Sequence, residues 1–222
     1  KEQIITFALK HHISGNTHEA ERYYQIFLAK GFSDARVFSN MGQILKEKGN
    51  LKDAELLTRK AIKLVPNFAD AFSNLGNILK DLGKFKEAEL SYRKAIELNP
   101  NFANAYYNLG HLLQEIGKLK EAELYHRKAI ELNPNIAKFH SNLGNILQDL
   151  GKLKEAEFYQ RKAIKLNPHI ANFYSNLGNI LKDLGKLKEA ELSQRKAIKL
   201  NPDSALINLN LGVILKNLGK IS

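Results

Sequence analysis

Cysteine and tryptophan are both missing from this 222-residue chain; methionine occurs once and proline only five times. Without cysteine there is no disulfide, no thiolate ligand for zinc and no thiol nucleophile. Long apolar runs are lacking too. None reaches the ~18 residues that a membrane-crossing helix needs, and no charged-then-apolar leader opens the chain. No contact with a membrane is therefore expected, and the expected location is the cytoplasm. The first residue is Lys1 and not methionine, so a fragment or a processed product is expected. Compositional bias is equally absent. With 26% of residues charged and 44% hydrophobic, the chain has the make-up of a folded protein and not of low-complexity disorder.

Acidic residues do not balance the basic ones, and the net charge is +11. The excess is patchy: residues 35–68 carry +4, 69–102 and 103–136 carry zero, and 137–170 carry +3. Acids are interleaved with the bases at a fixed spacing. Glu55 and Arg59, Glu89 and Arg93, Glu123 and Arg127, Glu157 and Arg161, and Glu191 and Arg195 each stand four apart. That order suits ion pairs on a helix surface, worth ~0.2–0.5 kcal/mol each. A solvated outer face accounts for these charges better than a phosphate track does, so nucleic acid is disfavoured as a partner.

Catalytic patterns are not found either. The seven histidines show no ligand spacing, and the adjacent His11 and His12 point to different faces of any helix. His126 and His140 occupy the places of Tyr92 and Phe72 in their repeats, which assigns them to packing between helices. Acid pairs such as Glu87 and Glu89 recur at regular intervals, as a surface motif does and a unique site does not. There is no Gly-rich phosphate loop, nucleophile elbow or HExxH. No catalytic residue, metal site or cofactor is expected, and the chain is not read as an enzyme.

What the sequence does contain is a period. Its prolines, Pro66, Pro100, Pro134, Pro168 and Pro202, lie 34 residues apart. Glycines form two further series at the same interval, one through Gly42, Gly76 and Gly110, the other through Gly49, Gly83 and Gly117. In the repeat 69–102 the pattern predicts a helix A over 69–82 and a helix B over 85–98. Gly83 stands where a helix needs a left-handed C-terminal cap, which glycine adopts without a Cβ clash. Pro100 ends helix B, since it has no N–H and restricts the residue before it. Phe72, Leu75, Gly76 and Leu79 make one apolar stripe, and Ala88, Tyr92 and Ala95 face it. Gly76, Ala88 and Ala95 are small, so the two helices can approach closely. A leucine in place of Ala88 would overpack that contact by ~1–3 kcal/mol.

Phe72-x2-Leu75-Gly76-x2-Leu79, followed by Ala88-x3-Tyr92, Ala95 and Pro100, resembles the tetratricopeptide repeat. It departs from that pattern in having no tryptophan, and in a leucine where the family often has tyrosine. The resemblance implies an all-α fold, a solenoid of helical hairpins in a right-handed superhelix, with A helices lining a concave groove and B helices outside. The whole of 1–222 is expected to be one array. Full repeats span 35–68, 69–102, 103–136, 137–170 and 171–204, with a degenerate copy at 1–34 and helix A of a further copy at 205–222.

A helix turns ~100° per residue, so the face opposite the core stripe of 69–82 holds Asp70, Asn74, Asn77 and Asp81, flanked by Ser73 and Lys80. Asn74 has equivalents at Asn40, Asn108, Asn142, Asn176 and Asn210, and Asn77 at Asn145 and Asn179. Asparagine is a mediocre helix former, so propensity does not explain the series. A carboxamide engages both the C=O and the N–H of a passing peptide. With neighbouring A helices ~10 Å apart and an extended chain rising ~3.3 Å per residue, one asparagine meets about every third ligand residue. The series is similar to the asparagine ladder of O-linked N-acetylglucosamine transferase repeat regions. The alternative is that these asparagines bond a neighbouring helix or are copies left by duplication. The lysine-and-asparagine clamp of co-chaperone relatives is not matched, because Ser73 stands at the lysine's place beside Asn77.

Two departures interrupt the groove face. Tyr107 and His111, four apart, replace the serine and the amide of other repeats, and are read either as an aromatic pocket or as drift. Leu206, Leu209 and Val213 are apolar where earlier repeats are polar, an end patch that a following helix, a partner or another copy of the chain would cover. The expected function is a scaffold that binds an extended peptide or partner protein in the Asn-lined groove. The alternative is a docking region of a larger enzyme, such as a glycosyltransferase, with its catalytic domain elsewhere; bacterial relatives include such an architecture. Homo-oligomerisation through the exposed C-terminal end is the further reading.

Overall fold

The computed structural model describes residues 1–220. They form thirteen helices, with no strand among the described residues. The odd-numbered helices are α1 (Glu2–Ile13), α3 (Ala35–Glu47), α5 (Ala69–Asp81), α7 (Ala103–Glu115), α9 (Ala137–Asp149), α11 (Ala171–Asp183) and α13 (Ala205–Asn217). The even-numbered ones are α2 (Thr17–Ala29), α4 (Leu51–Leu64), α6 (Phe85–Leu98), α8 (Leu119–Leu132), α10 (Leu153–Leu166) and α12 (Leu187–Leu200). No helix among the described residues is long and apolar enough to cross a membrane. The chain divides into two compact units, 1–112 and 113 onward, with the division inside α7.

The turn inside each hairpin follows from its glycine. Gly83 has φ +74, and around it Lys84 N donates to Leu79 O at 2.8 Å and Gly83 N to Lys80 O at 2.9 Å. These two bonds satisfy carbonyls that the end of α5 leaves open. Leu82, expected as the last helical residue, is the C-cap. Helix α6 takes the predicted span and ends on Asn99, immediately before Pro100.

In the first unit, α5 and α6 close over Leu75, Leu79, Ala88, Tyr92 and Ala95, all buried. Phe72 is only half-buried, while Ala71, Ser73 and Ile78 are buried although they lie off the expected stripe. The buried arc is wider than one stripe because α5 packs on two sides. Ala71 sits in a cluster with Ala35 and Ala61, from the preceding hairpin. Residues 1–34 fold as the hairpin α1–α2, whose Ile5, Ala8, Tyr24 and Phe27 share a core with Val37 and Ile44 of α3.

The second unit repeats the scheme. Leu143, Leu147 and Ala156 pack with Ile180 of the next hairpin, and Leu177, Leu181 and Ala190 with Ile214 of α13. Charges on the even-numbered helices are joined from one hairpin to the next. Glu157 holds Arg161 one turn on at 2.8 Å and Lys186 at 2.8 Å, while Arg161 also reaches Glu189 at 2.9 Å. Glu55, Arg59, Lys84 and Glu87 form the same net in the first unit.

Candidate functional site

The candidate face is built on a close approach between helices. A Cβ on Gly76 would lie 2.5 Å from the ring of Tyr92, and one on Gly178 would lie 2.8 Å from Gln194 Nε2. The glycine makes room for a polar side chain that is wholly buried: Tyr92 in α6, Gln160 in α10, Gln194 in α12. Burying such groups costs free energy unless they are hydrogen-bonded. Tyr92 Oη donates to Asn77 Oδ1 at 2.8 Å. Gln194 Nε2 donates to Ser175 O at 3.0 Å and to Asn179 Oδ1 at 3.2 Å. Gln160 Nε2 donates to Phe173 O at 3.0 Å and to Ser141 Oγ at 3.1 Å. Asn77 and Asn179 therefore satisfy the tips of buried side chains, and Asn145 stands half-buried at the equivalent place.

The longer series behaves differently. Asn40, Asn74, Asn108, Asn142, Asn176 and Asn210 are all half-buried. In the first unit Asn74 Nδ2 donates to Ser39 Oγ of the preceding odd-numbered helix at 3.0 Å, and Asn40 Nδ2 to Tyr24 Oη at 2.8 Å. In the second unit Asn176 reaches Ser141 Oγ at 3.5 Å and Asn210 reaches Ser175 Oγ at 3.3 Å. The bond from an asparagine to a neighbouring helix, one of the two alternatives for the series, is thus present at these positions. It takes one amide hydrogen and leaves the second hydrogen and Oδ1 of Asn74 without a partner among the described residues. The serines that hold the amides stand at the place of Ser73, which the sequence puts on the flank of the groove face. They are buried instead, Ser39 at 1% and Ser141 at 3% exposure, because the next hairpin covers them.

Tyr107 stands where Ser39 and Ser73 stand in the earlier repeats of its unit. It lines a cleft of about 210 Å³ with Lys46, Asn77, Asp81, Asn108 and His111, so the two departures from the repeat meet one asparagine of the longer series, Asn108, and one of the shorter, Asn77. Lys46 Nζ is 3.0 Å from Asp81 Oδ2, an ion pair at the edge of the cleft. At the far end of the second unit, Leu206, Leu209 and Val213 are exposed at 65%, 64% and 43%. A Cβ on Gly212 would meet nothing within 4 Å.

His126 and His140 are fully buried. His140 Nε2 lies 2.7 Å from Pro134 O, and its ring stacks on Tyr159. Burial pulls its pKa below the usual imidazole value, against the opposing hydrogen bond to Pro134. No group of three or more His, Asp or Glu able to hold a metal occurs among the described residues. Sequence reasoning placed Tyr92 on the core stripe but missed Gln160 and Gln194, which complete a buried polar row with it. Its signal was the period itself, since each lies 16 residues after a helix-A glycine.

Models of the tetratricopeptide repeat match residues 35–68, 103–136, 137–170, 57–89 and 159–191, and a further TPR repeat model matches 76–117 and 178–219. No curated protein sequence matches. Among solved structures the chain is similar to YrrB, described as a TPR protein with an unusual peptide-binding site. The identity is 25% and the TM-score 0.67, over 86% of this chain and 97% of that one. It is similar to MamA at 26% identity and TM-score 0.66, over 77% of this chain and 93% of that one. PilF of Pseudomonas aeruginosa shares the fold at 22% identity and TM-score 0.76, over 84% of this chain and 85% of that one.

Proposed function

Because this chain belongs to the tetratricopeptide-repeat family and is a protein-interaction scaffold, we propose that its odd-numbered helices bind an extended peptide through the asparagine series. The observation that carries this reading is the serine anchor. A bond such as Asn74 to Ser39 fixes the amide, so less side-chain freedom is lost when a ligand arrives. The ligand N–H donates to Oδ1, and the ligand C=O accepts the remaining Nδ2 hydrogen. Each bond contributes about 0.5–1.5 kcal/mol net, so affinity comes from several in a row. The Tyr107 and His111 cleft takes one ligand side chain and gives the contact its only selective position.

The test uses extended peptides selected from a displayed random library on the unaltered protein. Replacing Asn74, Asn108, Asn142 and Asn176 together by alanine lowers their affinity by about a hundredfold, the sum of a few such bonds. Circular dichroism checks that the variant is folded, and an unchanged Kd in a folded variant overturns the reading.

A second reading concerns α13. Its exposed Leu206, Leu209 and Val213 form an apolar face of the kind that another copy of the chain covers. Light scattering reads the outcome: association that disappears on Leu206→Ser with Leu209→Ser supports it, and a monomer at every concentration removes it.

A further inference from the structure

The outward faces of five even-numbered helices carry a large apolar residue at one fixed place. Leu56, Leu90, Leu124, Phe158 and Leu192 are each more than half exposed. Single exposed leucines are normal and demand no explanation. What changes along the chain is the charge beside them. Lys94 and Lys128 are tied to Glu97 and Glu131 three residues on, at 2.5 and 2.6 Å. In α10 and α12 that glutamate is replaced by Lys165 and Lys199, as it is by Lys63 in α4. Lys162, Lys165, Lys196 and Lys199 consequently have no carboxylate partner among the described residues, while nearby Arg161 is held by Glu157 and Glu189.

Three of those lysines, Lys162, Lys165 and Lys196, line concavities in the second unit, and Lys199 follows Lys196 by three residues on α12. A cleft of about 370 Å³ lies between α10 and α12, lined by Ile164, Tyr174, Leu177 and Leu192, with Lys165 and Lys196 among its charged residues. A second, of about 340 Å³, is lined by Phe158, Arg161, Lys162 and Lys165. Like charges crowded around apolar surface repel one another, and an anionic ligand relieves that repulsion.

We propose that the α10–α12 face docks an acidic peptide segment bearing an apolar side chain. The apolar group enters the cleft beside Tyr174 and Leu177. Carboxylates before and after it meet Lys162 and Lys165 on one helix and Lys196 and Lys199 on the other. An anionic bilayer fits less well. Phe158 and Leu192 stand on separate helices, whereas a helix lying in a membrane interface needs a broad apolar face. This site is separate from the asparagine series and does not depend on it.

The experiment titrates the full chain into a short fluorescein-labelled peptide of glutamates around two leucines and follows anisotropy. Saturable binding is expected, weakened about tenfold or more by Lys165→Glu with Lys199→Glu, by changing the peptide leucines to serine, and by raised salt. The double variant restores the glutamates that α6 and α8 already carry, so it folds. The alanine variants of Asn74, Asn108, Asn142 and Asn176 bind this peptide unchanged. Absence of saturable binding, equal binding by the double variant, or binding to phosphatidylglycerol vesicles without binding to the peptide overturns the proposal.

Discussion

Gly76 and Gly212 occupy the same place in their repeats, yet their surroundings are opposite. A methyl on Gly76 would run into the Tyr92 ring at 2.5 Å, and one on Gly212 would meet nothing within 4 Å. The Gly76→Ala change should therefore destabilise the protein by about 1–3 kcal/mol through overpacking. Gly212→Ala should stabilise it by about 0.5–1 kcal/mol, since alanine loses less freedom inside a helix. Urea denaturation of the two variants checks both signs, and equal shifts would contradict the packing account. The glycines were legible in the sequence as a series. Their partners were not, because the place is fixed while the residue changes from Thr58 to Tyr92, Gln160 and Gln194. Only coordinates reveal that such different side chains do one job, filling the notch and directing a polar tip to a hydrogen-bond partner.

Helices are joined by charge as well as by packing, and this makes their stacking sensitive to acid. The Lys84 ammonium holds the Glu55 carboxyl below its ordinary value, with Arg59 assisting against burial. Burial pushes Glu157 up, but Lys186 and Arg161 outweigh it and the net shift is downward. A carboxyl whose folded pKa lies below its unfolded value contributes stability above the unfolded value, and that stability is lost as pH falls through the folded one. The melting temperature should be level from neutral pH down to about the ordinary value of 4.5 and decline below it. Glu55→Gln with Glu157→Gln should lower stability at neutral pH by about 0.2–1 kcal/mol per site and flatten the acid decline. Thermal melts across pH read both effects, and an unchanged decline in the double variant would remove these carboxylates from the account. The pairing of Glu55 with Arg59 was legible because both lie on one helix, four apart. The reach of Lys84 to Glu55 was not, since it depends on which helices abut.

At the scale of the molecule the period determines most of what a reader can extract. Thirty-four-residue spacing of proline and glycine gave the helical hairpins and the turn at Gly83, but it could not say how much of α5 is covered. A solenoid buries each hairpin against its neighbours as well as against itself, which is why Ser73 and Ala71 are inside. The same coverage anchors members of the asparagine series to a neighbouring helix, Asn74 on Ser39 and Asn176 on Ser141. The apolar row through Phe158 and Leu192 was passed over because the charges around it read as a solvated face. The claim that the amides of the asparagine series grip a peptide backbone is tested most directly by following the side-chain amide resonances of the protein as a selected extended peptide is added. The account predicts that those of Asn74, Asn108, Asn142 and Asn176 shift in proportion to occupancy. Saturable binding that leaves all of them unmoved would contradict it.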